Sequence, residues 1–147
     1  MAQKDRFSHV SKGQSLIEML VVLSMVMVLV TSIVVGSTVS LRNQQVSSDR
    51  DTGLKYAQQG MEIVRSLRDR SWESFAVYTG SYCLDETSTF TPLVDTCTTL
   101  LDDVYERVVT FTWDADNQRM GVTMVVSWNL GATPYSTTLD TYYTNWK

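Results

Sequence analysis

The 147-residue sequence predicts an α+β protein: a long N-terminal α-helix, its first half embedded in a membrane, packed on a three-stranded antiparallel β-meander. Three observations predict it. Residues 19–35, MLVVLSMVMVLVTSIVV, carry no charge. Apolar residues then recur at intervals of three and four up to Phe75. Beyond residue 104 the apolar positions alternate with polar ones, the period of a half-buried strand.

The chain opens on a basic segment, residues 1–13, where Lys4, Arg6 and Lys12 stand against Asp5. The remainder has nine Lys and Arg against fifteen Asp and Glu, a net of −6. Broad phosphate-backbone binding needs clustered cations. A chain this acidic beyond residue 13 is a poor candidate for it, and the sequence leaves only local basic spots that could meet a nucleic acid.

With Leu16 and Ile17, the apolar run spans residues 16–35 and is broken only by Glu18. About 20 apolar residues suffice to cross about 30 Å of hydrocarbon. A basic leader is held in the cytoplasm, which places the C-terminal part on the other side. Glu18 is the informative residue. A carboxylate within an apolar segment costs roughly 2–3.5 kcal/mol at the bilayer centre and less near the surface, and neither a secretory signal nor a plain anchor needs one. A signal peptide would also require a small-residue cleavage site after the run, for which Val35, Gly36 and Ser37 offer only a weak match.

From Thr31 to Ser40, β-branched and small residues surround Gly36, so helix propensity is low. This is where local melting of the helix is expected. The amphipathic pattern then resumes: Leu54, Ala57, Met61 and Val64 form one stripe, widened by Gly60 and Leu67 toward Trp72 and Phe75. The organisation read from these features is a leader over 1–13, a membrane helix over 14–36, an amphipathic helix over 37–75 and a β head over 76–147.

Residues 80–103 contain Gly80, Pro92, Cys83, Cys97 and many Thr, and read as an irregular connection. The two cysteines have no nearby His or further Cys to complete a zinc site. In an exported head they are expected to form a disulfide, closing a loop of about 15 residues for a gain of roughly 3 kcal/mol; in a cytosolic protein they would be buried free thiols. Strands follow at Tyr105–Trp113, Met120–Trp128 and Tyr135–Tyr143, with turns at 114–118 and 129–134.

Chemistry is sparse. His9 is the sole histidine and lies in the leader; neither a G-x-S-x-G, a phosphate-binding loop nor a zinc spacing occurs. Asp114, Asp116 and Asn117 resemble the start of a calcium loop but lack its Gly and distant Glu, so a polar turn accounts for them better. No enzyme activity, cofactor or metal is expected.

The segment KGQSLIEMLVVLSMVMVLV, from Lys12 to Val30, resembles the signal of type IV prepilins and type II secretion pseudopilins. That resemblance implies a pilin-like fold and cleavage by prepilin peptidase after Gly13. Gln14 then becomes the first, N-methylated residue, and Glu18 the fifth, an assembly residue that pairs with the new amino group. Where the family most often has Phe at the first mature position, this chain has Gln14. A second segment, YAQQGMEIVRSLRDRSW from Tyr56 to Trp72, is similar to minor pilins and pseudopilins of the pilus-modification group. The implied partners are prepilin peptidase, other pilin or pseudopilin subunits, an inner-membrane assembly platform and membrane lipid. The implied location is a single-pass membrane protein with its head outside the cytoplasm, and later the pilus or cell surface. Two rival expectations are a single-span surface binding module, such as an adhesin, that does not polymerise, and a soluble domain released near Gly36.

Overall fold

The computed structural model describes residues 12–145, with side chains from Leu16 onward. The basic residues and His9 of the leader's first eleven positions lie outside the described residues. Helix α1 spans Lys12–Arg70, 59 residues, and the chain divides into two compact units, one ending at Gln44 and one beginning at Gln45.

In the first unit every described side chain is exposed. Apolar groups cover the helix all round, and by length and composition the segment is a candidate membrane span. Four of its hydroxyls bond back to the helix: Ser24 to the Val21 carbonyl at 2.7 Å, Thr31 to Met27 at 2.7 Å, Ser32 to Val28 at 2.8 Å and Thr38 to Val35 at 2.8 Å. Such bonds satisfy polar groups without water. The helix runs through Thr31–Ser40 without interruption.

In the second unit, the helix from Gln45 to Arg70 packs on one face of an antiparallel sheet. The strands are β1 (Gly80–Leu84), β2 (Phe90–Pro92), β3 (Glu106–Asp114), β4 (Arg119–Leu130) and β5 (Thr133–Thr144), in the order β2-β1-β3-β4-β5. The expected meander is β3-β4-β5. The expected irregular connection instead contributes two more strands, so the sheet has five. The reason is tertiary: β1 is only five residues long, but it pairs with the free edge of β3, Tyr82 opposite Val109 and Cys83 opposite Val108. Its hairpin to β2 closes on Asp85, whose carboxylate accepts from the Thr89 N–H at 2.8 Å and the Thr87 hydroxyl at 2.8 Å.

The core lies between helix and sheet. Met120, Val122, Met124, Val126 and Trp128 of β4 and Val109 and Phe111 of β3 meet Ala57 and Val64 of α1. The buried stripe differs from the expected one at Leu54, which is exposed, while Gly53 is buried. A Cβ at Gly53 would stand 2.7 Å from the Trp128 ring, and one at Gly60 2.8 Å from Met124 Cε. The helix therefore approaches the large side chains of β4 along its smallest residues, and a leucine there would hold it off.

Helix α1 also stops earlier than expected. It ends at Arg70, and Ser71 caps a separate short helix α2 (Trp72–Ala76) by accepting from the Ser74 N–H at 3.2 Å. The break turns Phe75 fully into the core, edge-on to Phe111 and Tyr143 at centroid distances of 5.9 and 5.6 Å.

Candidate functional site

The residues singled out in the sequence fall into two groups, one in each unit. In the first, Gly13 and Gln14 belong to the backbone of α1, and the Gln14 side chain is outside the described residues. A helical backbone places positions 14 and 18 one turn apart on the same face. Glu18 is exposed and borders an open hollow of about 520 Å³ whose other walls are Met19, Val22, Leu23 and Val26. Its carboxylate is the only charge between Leu16 and Leu41. By length and composition, the helix beginning at Leu16 can cross a membrane.

In the second unit Cys83 and Cys97 are joined in a disulfide, with Cα atoms 5.6 Å apart and both residues buried. The bond fastens the end of β1 to the segment after β2. Cys97 is held further by its N–H, which donates to Glu106 Oε1 at 2.8 Å.

Beside the disulfide lies Arg107, 3% exposed, the one buried charged residue among the described residues. Its guanidinium donates to three backbone carbonyls: Leu84 at 3.1 Å, Tyr56 at 3.2 Å and Asp85 at 2.7 Å. One side chain of β3 thereby ties α1 to the end of β1. Burial pushes the Arg107 pKa down from its usual value, and the nearby Asp85 carboxylate opposes that shift. The sequence carried a signal for this residue: a cation at an inward position of an alternating strand has to find acceptors indoors.

Next to Arg107 an open cavity of about 670 Å³ is lined by Lys55, Tyr56, Gln59, Glu62 and Glu86, among others. The Tyr56 hydroxyl donates to Asp102, and this bond, aided by burial, pushes its pKa up to about 12. The phenol remains protonated at neutral pH and acts as a donor rather than a base. On the opposite face of the sheet, Asp114 accepts from the Asn117 N–H at 3.2 Å, Asn117 Nδ2 at 2.9 Å and Arg119 Nε at 2.8 Å. The carboxylate suspected of beginning a calcium loop is engaged in building its own hairpin turn.

The structure thus offers an apolar helical segment, residues 16–41, bearing one carboxylate, and a disulfide-pinned head in which Arg107 and Asp114 are hydrogen-bonded to groups of the head itself. Comparison of the chain with protein-family models, with curated proteins and with solved structures finds no match.

Proposed function

We propose that the chain is the precursor of a minor pilin or pseudopilin, cut by prepilin peptidase after Gly13 and assembled through its N-terminal helix into a type IV pilus or related filament. One observation carries the reading. Glu18 is a lone carboxylate on an exposed apolar stretch of α1, residues 16–41, that is otherwise uncharged, one turn from the residue that cleavage would make the N-terminus. A charge placed there is costly in lipid unless it has a partner. The amino group of Gln14, in the same chain or in the neighbouring subunit, is the partner that cleavage would create. The exposed apolar helix, the antiparallel sheet and the disulfide are compatible with a pilin-like fold. On this reading the head is exported, the membrane holds the subunit until assembly, and the partners are the peptidase, other subunits and the assembly platform.

N-terminal sequencing of the mature protein from a host with prepilin peptidase tests the proposal. The expected first residue is Gln14, and Gly13→Leu, which crowds a position where the backbone needs close approach, is expected to leave the leader attached. A mature chain that keeps residues 1–13 supports the non-polymerising surface module instead, and one that begins near residue 37 supports a released soluble domain.

A further inference from the structure

We infer that the head pairs with a second copy of itself through β5, extending the sheet across a two-fold axis centred on Leu139. Strand β5 is twelve residues long and stands at the end of the sheet order, pairing with β4 alone among the described strands. Natural sheet edges are usually blunted by shortness, bulges, lysines or internal proline. β5 has Pro134 at its start, one charge, Asp140, and no lysine, and its register with β4 is unbroken over twelve pairs.

The occupant is indicated by the order of residues along the strand. The side chains on the core face of β5, Tyr135, Thr137, Leu139, Thr141 and Tyr143, read the same in both directions about Leu139. Each is half-buried, whereas their β4 neighbours Met120, Val122, Met124, Val126 and Trp128 are buried. An antiparallel copy centred on Leu139 would set Tyr135 opposite Tyr143, Thr137 opposite Thr141 and leucine opposite leucine. Aromatic and β-branched pairs of this kind stabilise a sheet. On the other face the same register sets Asp140 opposite Thr138, a carboxylate against a hydroxyl, and brings no like charges together. Sliding the copy by one residue would turn its core face outward. Sliding it by two would leave the tyrosines without tyrosine partners. This pairing uses only the head and does not depend on the filament reading.

The test uses cysteine pairs in the full chain, whose two native cysteines are already bonded to each other. Thr138→Cys and Asp140→Cys change exposed positions, so the fold is expected to survive both. Directly opposed residues have Cα atoms about 4.5–5.5 Å apart and diagonal ones about 7–8 Å, while a disulfide spans roughly 4.4–6.8 Å. The two variants reconstituted together in phosphatidylcholine vesicles, with a mild oxidant, should therefore form a 138–140 dimer about tenfold faster than either variant alone. Leu139→Cys should dimerise with itself at a similar rate. Equal rates for the mixture and the separate variants would show association through the apolar helix or by collision, and would overturn the proposal. So would monomers throughout while circular dichroism reports a folded head.

Discussion

A buried arginine needs acceptors, and Arg107 meets this need with main-chain carbonyls rather than a carboxylate partner. Exchanging a buried ion pair for apolar groups can be neutral when both partners go. Here the acceptors stay behind. Arg107→Met fills the same space and deprives Leu84 and Asp85 of that donor, so the head should lose about 1–3 kcal/mol of stability, read as a lower urea midpoint by tryptophan fluorescence. Acid should act on the same region through Asp85. The Thr89 N–H, with the Thr87 hydroxyl, holds its carboxyl below the usual range, and Asn117 and Arg119 do the same for Asp114. Carboxyls depressed in the folded state add stability above their unfolded pKa, and that contribution disappears as pH falls through the folded values. Urea midpoints should therefore fall below about pH 4, and Asp85→Asn should flatten the decline. Equal slopes for variant and wild type would remove Asp85 from the account.

At the scale of elements, the glycines of α1 set how closely helix and sheet approach. Ala in place of Gly in a helix gains about 1 kcal/mol of propensity, while overpacking a core costs about 1–3 kcal/mol. Which effect wins depends on the neighbour. At Gly53 the added Cβ meets the rigid ring of Trp128, so Gly53→Ala should destabilise; at Gly60 it meets chiefly the flexible end of Met124, so Gly60→Ala should be nearly neutral. Denaturation of the two variants side by side would decide this, and equal effects would refute it. The same neighbours explain what was legible in the sequence. β3 and β4 announce themselves because their residues alternate over nine and twelve positions. β1 and β2, at five and three residues, are too short to show a period and owe their form to the edge of β3. The sequence pattern places the stripe of α1 at Leu54, one residue from the buried Gly53, since hydropathy favours leucine over glycine and does not show that Trp128 lies opposite. The break at Ser71 has neither Gly nor Pro to mark it; only the capping hydroxyl does.

At the scale of the whole molecule, charge is segregated: residues 16–41 carry Glu18 alone, whereas residues 45–147 carry eight Lys and Arg against fourteen Asp and Glu. The proposed N-terminal site rests on a sequence pattern, a single carboxylate at the start of an uncharged run that follows a basic segment, and the fold of the head neither contributes to it nor hides it. Glu18→Ala makes the helix more apolar, so membrane insertion should be unchanged or better. Cleavage should persist, since the bond lies upstream. Entry into filaments should fail, because a buried amine without its partner costs roughly 3–5 kcal/mol. Shearing and pelleting filaments, then comparing subunit in the pellet with subunit left in the membrane, measures it; a variant that enters as well as wild type would show that Glu18 merely reaches the lipid surface.

The disulfide that fastens Cys83 to Cys97 also closes a covalent ring around the β1–β2 hairpin, including the left-handed residues Ser88 and Asp95. A single nick anywhere between residues 83 and 97 therefore divides the chain without releasing either piece. Digested protein would migrate at full length on a gel until a reductant is added, and only then separate into two fragments.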